Sequence, residues 1–449
     1  MKTIKNLRVS GLAPIGNGRG GRGTTARTVV FASLGLAAVT ALVGAALAIP
    51  PSAPPRTGHE SGETVARWNR NAISVLLPTN PPELTRALAM THIALHDAAN
   101  AVRPKYGRYA YHVTEDTGAD PSAAAAVAAA EVLKHRRPAK AADIDALLAV
   151  DLAMVRNPNR LQNSINVGQA AAAAIIALRA NDGSTSAATP YTPGTEPGDY
   201  QPTAVLPVPG FVLLPGWGNV TPFAMAAGNQ FVSDGPHALT SAEYTADYNE
   251  VKAYGSATST VRTTNQTAEA RFWIENPPTV FNRVAQREII NQDLDLWQAA
   301  RGMALTQIAF ADAIISTWNA KFTYNFWRPI TAIRNGDTDG NDATIADPTW
   351  TPLNVTPPFP EYNSAHAVVA AASASILTDV FGPVAFTETS TATGVVRTYS
   401  SWFHAAETST DSRIWGGFHF RDACEDGEAS GLALGLYILN LGLFDRLAE

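Results

Sequence analysis

Cysteine is almost missing from this chain: Cys424 is the one thiol in 449 residues. That excludes an intramolecular disulfide framework and any multi-cysteine metal site. Charge is also scarce, at 16% Asp, Glu, Lys and Arg against roughly 25% in an ordinary soluble domain, while 46% of residues are apolar. A disordered chain has the opposite balance. Nor is there a basic excess: 33 Lys and Arg stand against 39 Asp and Glu, a net charge of −6, which argues against a nucleic-acid binder. The length suits one large domain or about two or three ordinary ones, and either can bury a sizeable core.

Acidic residues are wholly absent from positions 1–48, which hold Lys2, Lys5, Arg8, Arg19, Arg22 and Arg27 and then an apolar run from Val29 to Ala48. A basic stretch, an apolar stretch and the small-residue end Ala46-Leu47-Ala48 are the parts of a secretory signal peptide, with an uncleaved membrane anchor as the competing reading. The segment has no Arg-Arg pair, so a twin-arginine route is not indicated. A Pro-rich linker follows over 49–62. Either reading puts the rest of the chain on the extracytoplasmic side, secreted or anchored. Without residues 1–48 the balance moves from −6 to −12, because six basic residues and no acids leave with them.

Alternating strand patterns are lacking too. Apolar residues instead recur at three- and four-residue intervals over 64–77, 83–102, 121–135, 141–154 and 161–181, and again over 241–254, 267–273, 281–320, 364–380, 395–406 and 426–443. The expected fold is all-α, two packed four-helix-type bundles with long Pro/Gly-rich connections, forming one domain over 63–449 with helical halves at about 63–200 and 223–449. Between the halves, 199–222 holds five prolines and several glycines and reads as an ordered crossing.

Three segments after residue 320 carry the chemistry. In Lys321-Phe-Thr-Tyr-Asn-Phe-Trp-Arg328-Pro329 the two cations are seven apart, which on a helix puts both on one face; two buried cations are costly unless an anion lies between them. In Pro357-Pro-Phe359-Pro-Glu-Tyr-Asn-Ser364-Ala365-His366 the prolines force an extended approach to an Ala/Val helix. Ser364, Ala365 and His366 then sit at its N-terminus, where free N–H groups and the helix dipole favour an anion. A histidine placed there is a candidate for gaining and losing a proton. In Ser412-Arg413-Ile-Trp-Gly-Gly-Phe-His419, paired glycines allow close packing between Arg413 and His419. Alone, each segment also fits an ordinary role: snorkelling cations, an N-cap serine, a core histidine.

Together the three segments resemble the signature of the vanadium-dependent haloperoxidases and type 2 phosphatidic acid phosphatases. The flanks Phe310-Ala-Asp312-Ala and Pro357-Pro-Phe-Pro, with His92-Ile-Ala-Leu-His96-Asp97-Ala and Pro215-Gly-Trp-Gly-Asn-Val-Thr-Pro-Phe223 upstream, are similar to the haloperoxidase branch. The resemblance implies a vanadate cofactor bound through vanadium to His419, its oxygens held by Lys321, Arg328, Ser364, the Ala365 N–H and Arg413. It implies hydrogen peroxide and halide as substrates and an organic acceptor as an optional partner, with His366 as acid–base group and Lys321 as polarising cation. Phe359 matches the chloroperoxidase choice at its position. In the phosphatase version His419 is the nucleophile and His366 protonates the leaving alcohol. A non-catalytic exported protein that keeps the fold is the third reading. It is motivated by two departures: Ala365 where the family usually has Gly, and Ala423 where an Asp often follows the metal-binding histidine, with Asp422 one place early.

Other candidates read as structural. His92 and His96 have metal-ligand spacing on a helix but no convincing third ligand. Residues 337–342 resemble the start of a calcium loop yet lack its Gly and Glu, and read as a solvated turn. The alanine run 123–130 is too short to span a membrane. Cys424 reads as a buried thiol.

Overall fold

The computed structural model describes residues 60–447 apart from 114–117 and 204–207. The segment 1–48, on which the export expectation rests, lies outside the described residues. Among those described, no helix is long and apolar enough to cross a membrane.

The first half is helical: α1 (Glu63–Leu76), α2 (Pro81–Val102), α3 (Pro121–Arg136), α4 (Ala141–Leu152) and α5 (Pro158–Leu178). Local sequence sets three of the starts. Asn80, Asp120 and Asn157 each accept a backbone N–H of the first turn and are followed by Pro, which has no N–H to leave unpaired. The second half holds α6 (Ala242–Gly255), α7 (Thr264–Phe272), α8 (Pro277–Asn291), α9 (Leu296–Tyr324), α10 (Pro329–Arg334), α11 (Ala365–Phe381), α12 (Trp402–Trp415) and α13 (Arg421–Asn440). Helices α1, α2, α3 and α5 pack as one group and α9, α11, α12 and α13 as another, with α2 lying along α9 between them. One apolar core runs through both groups, from Val65 to Phe444. The expected all-α bundle architecture is what the chain adopts.

Three local expectations need correction. Residues 395–406 are not one helix: β1 (Phe386–Thr389) and β2 (Val396–Tyr399) form an antiparallel hairpin, and α12 begins only after Ser401 caps it. The β-branched run at 395–398 prefers the extended state, and Phe386 and Tyr399 stack together at its end. The run 281–320 is broken at Asp293, whose φ is +51°, and α9 restarts with a capping box between Asp295 and Gln298. Lys321 and Arg328 do not share a helix. Asn325 ends α9 in the left-handed conformation (φ 51°, ψ 35°), and Arg328, extended before Pro329, is the N-cap of α10.

The crossing at 199–222 is ordered where described and lies against the signature segments. Tyr200 N–H donates to Asn325 O, Leu213 N–H to Pro358 O, and Trp318 Nε1 to Leu213 O. Gly218 allows it to touch α9, since a Cβ there would lie 2.5 Å from Asn319 Cα. His92 and His96 are core residues bonded to Asn69 and to Gly107 O. The 337–342 turn is stitched by its own side chains: Asp339 accepts from Asn341 N–H and Thr344 Oγ1. Among the described residues no cluster of His, Cys, Asp and Glu is arranged to hold a metal ion.

Candidate oxyanion site

Three elements bring the signature segments together. The end of α9 carries Lys321, the break after it carries Arg328, and the 357–364 loop wraps both. Glu361 N–H donates to Phe326 O, and Ser364 N–H donates to Ala423 O at the start of α13. Helix α11 lies against α13 along a face of Gly427, Gly431 and Gly435; a Cβ on Gly431 would stand 2.3 Å from Val368 O. That close approach sets the N-terminus of α11, with Ser364 and His366, beside the Phe418-His419-Phe420 turn.

Lys321 is fully buried and its ammonium donates to the carbonyls of Pro360 (3.0 Å), Glu361 (2.8 Å) and Asn363 (2.6 Å). All three N–H donors are thereby engaged, so Lys321 folds the loop as well as charging the site. Arg328 donates from Nε to Phe359 O (2.9 Å) and from Nη1 to Phe418 O (3.0 Å), and Nη1 lies 3.1 Å from His419 Nε2. Arg413 donates from Nη1 to Trp273 O at 2.7 Å, and its guanidinium lies over the Phe418 ring. Phe359 sits beneath Lys321 and Arg328 at 5.1 and 5.0 Å, backed by Trp318.

Several polar atoms here have no partner among the described residues. Arg328 Nη2, Arg413 Nε, Ser364 Oγ and His366 Nε2 are all buried and unpaired. Ser364 occupies the expected N-cap position of α11, yet its hydroxyl caps nothing. The first N–H groups of that helix, Ala365 included, have no intrahelical acceptor, and the Ala365 methyl leaves its N–H in place. Orphaned donors are normally rare, because each costs about 1–3 kcal/mol.

The electrostatics run the same way. Burial, then Arg328, holds the Lys321 ammonium well below its usual range, and burial likewise lowers Arg328 and Arg413. His366 and His419 are pushed down by burial and then by neighbouring guanidinium groups, so both rings are neutral at pH 7. The backbone of Trp273 and Glu275 offsets part of that lowering for His366. Among the described residues none of the three cations forms an ion pair, and Glu361, raised to about 8 by burial, is the carboxylate whose charge acts on Lys321 and Arg328. Three buried cations, free donors and a helix N-terminus form a cradle whose donor set suits an oxyanion. Tetrahedral vanadate and phosphate both fit that donor set.

All the expected site residues converge: Lys321, Arg328, Phe359, Ser364, Ala365, His366, Arg413 and His419. Two contributors had no assigned role in the sequence reading. The Trp273 carbonyl, which accepts from Arg413, has no sequence signal. Glu361 does have one, being an acid alone in an apolar Pro-rich approach. Its Oε1 lies 2.7 Å from His419 Nδ1 and accepts from Phe420 N–H at 3.0 Å.

Residues 301–442 match the family described as the VCPO second helical-bundle domain. The chain is 27% identical over 371 residues to the vanadium chloroperoxidase of Curvularia inaequalis, covering 66% of this chain. It spans 60% of the length of that curated relative. A bacterial vanadium-dependent iodoperoxidase superposes with a TM-score of 0.73 at 26% identity, over 88% of this chain and 99% of that one. A holo-type bacterial vanadium-dependent chloroperoxidase shares the fold, with a TM-score of 0.66 at 16% identity over 86% of this chain and 99% of the other.

Proposed function

We propose that the chain, similar to the vanadium haloperoxidases, binds vanadate and oxidises halide with hydrogen peroxide to a hypohalous-acid-level halogenating species. The observation that carries the reading is the set of four unpaired buried atoms, Arg328 Nη2, Arg413 Nε, Ser364 Oγ and His366 Nε2, among three cations. Vanadate, when bound, supplies a Lewis-acidic centre that activates peroxide toward halide. His419 would hold the metal through Nε2. Arg328, Arg413, Ser364 and the Ala365 N–H would hold the oxyanion's oxygens, with Lys321 adding its charge from within the loop it folds. His366 is neutral, with a free Nε2, and takes up and returns the peroxide proton. Phe359, packed under the two cations, keeps water from them.

A second reading, an acid phosphatase, has one observation in its favour: a neutral histidine with a carboxylate behind it also suits His419 as a phosphoryl acceptor. One experiment separates the readings. Purified protein is titrated with vanadate and assayed for halide oxidation with peroxide, beside phosphate-ester hydrolysis without vanadate. Halide oxidation at saturating vanadate supports the first reading, phosphate release alone supports the second, and neither activity points to a non-catalytic protein. Export is proposed on residues 1–48 alone, and N-terminal sequencing of protein recovered outside the cytoplasm tests it.

A further inference from the structure

We propose that Glu361 is the positioning residue of His419: its carboxylate fixes the ring orientation and the tautomer in which Nε2 carries no proton and can bind a metal. The inference deepens the oxyanion-site reading and rests on it for its vanadate arm.

The argument begins at Arg328. A guanidinium only donates, so at 3.1 Å from Arg328 Nη1 the Nε2 of His419 must accept. The ring proton therefore sits on Nδ1 and needs an acceptor. Glu361 Oε1 provides one at 2.7 Å, and both side chains are almost wholly removed from water, at 3% and 1% exposure. The same oxygen accepts from Phe420 N–H, so one atom holds both the ring and the backbone that follows it. An outer partner on the remote ring nitrogen is what usually orients a metal-binding histidine.

The positions where that partner was expected are spoken for. Ala423 has no polar group. Asp422 turns to His237, accepting its N–H at 3.2 Å and lying 3.3 Å from its Nε2. Glu361 reaches His419 from the opposite loop, beside a recess that Ala423 also lines. The Glu361 backbone is anchored without the carboxylate, since its N–H donates to Phe326 O and its carbonyl accepts from Lys321. A side-chain change can thus alter the histidine and leave the loop folded.

The test uses full-length protein and two variants. Glu361→Ala removes the acceptor, whereas Glu361→Gln keeps an oxygen where Nδ1–H and Phe420 N–H require one. Nitrogen-15 NMR of the imidazoles in vanadate-free protein reads the tautomer, with the His419 signals identified as those missing from His419→Gln. Wild type and Glu361→Gln are expected to carry the proton on Nδ1. Glu361→Ala is expected to lose that preference and to bind vanadate about 10- to 100-fold more weakly in an equilibrium titration. An unchanged Nδ1–H tautomer together with wild-type vanadate affinity in Glu361→Ala overturns the proposal. Wild-type protein that binds no vanadate overturns the vanadate reading instead, and the tautomer measurement still decides the role of Glu361.

Discussion

Asp97 and Asp312 do the same work on two long, deeply buried helices. Asp97 on α2 accepts the successive backbone N–H groups of Tyr109, Ala110 and Tyr111, and Asp312 on α9 accepts those of Phe223, Ala224 and Met225. The two loops are tied where they begin, because Tyr109 Oη donates to Phe223 O at 2.6 Å. Each bundle thus carries a carboxylate that folds a loop onto its central helix, and the pair gives the two halves a common plan. It also accounts for the His96-Asp97-Ala98 and 215–223 segments as framework around the signature.

Asp312→Asn tests that framework. Burial raises the Asp312 carboxyl to about 6, against three backbone N–H bonds that lower it. A carboxyl whose folded pKa is raised contributes most stability below its unfolded value near 4. The contribution falls as pH rises to about 6 and is then constant. The variant lacks this dependence and loses acceptor capacity, at about 1–3 kcal/mol. The stability gap in urea unfolding should be largest below pH 4 and smaller above pH 6. A gap that widens with pH contradicts this assignment.

Ser364→Ala separates a site residue from a helix cap. An ordinary N-cap serine costs about 1 kcal/mol to remove. Here the hydroxyl caps nothing and is buried without a partner, so the ligand-free variant should be as stable as the parent or slightly more so. Oxyanion affinity should fall by about 1.5–3 kcal/mol, tenfold or more. A loss of thermal stability with unaltered binding returns Ser364 to a capping role.

Oxyanions should stabilise the fold, since the buried cations repel one another until an anion lies among them. At about 100 times its dissociation constant, vanadate adds about 2.7 kcal/mol to unfolding. His419→Ala should remove that gain, whereas His366→Ala should retain most of it while losing turnover. Equal, small effects of both variants, read by thermal shift and vanadate titration, run against their assigned roles.

Gly431→Ala should be destabilising although alanine favours helix by about 1 kcal/mol. Its Cβ would press on Val368 O and on Ala371 Cβ at 2.9 Å, contacts no rotamer can relieve, and overpacking of this kind costs about 1–3 kcal/mol. Because α11 carries Ser364 and His366, vanadate affinity should fall as well. A control at the half-exposed Leu436 on the same helix should leave both unchanged. A variant more stable than the parent would show that the two helices can move apart freely.

Much of this molecule was legible in its residues. The helices followed from apolar spacing, and Asn, Asp and Pro marked several of their starts, because both signals act within a few residues. The oxyanion chemistry was legible as well, since cations, a helix N-terminus and two histidines are improbable companions in an apolar stretch. The helix expected over 395–406 begins instead with the second strand of the hairpin, because a short β-branched run looks alike in either state until a partner strand is present.

Which groups meet lay beyond any local pattern. Asn325 turns the chain between Lys321 and Arg328, so the two cations converge across a break instead of along one helix face. Arg328 and His419, 91 positions apart, touch because α13 can lie against α11 at its glycine face. Glu361 became the partner of His419 through the same packing, in place of a residue nearer in the chain. Spacing along the chain governs helices and caps, whose bonds close over three or four residues. Proton positions and charge pairing in the site depend on contacts that exist only once the bundles have closed.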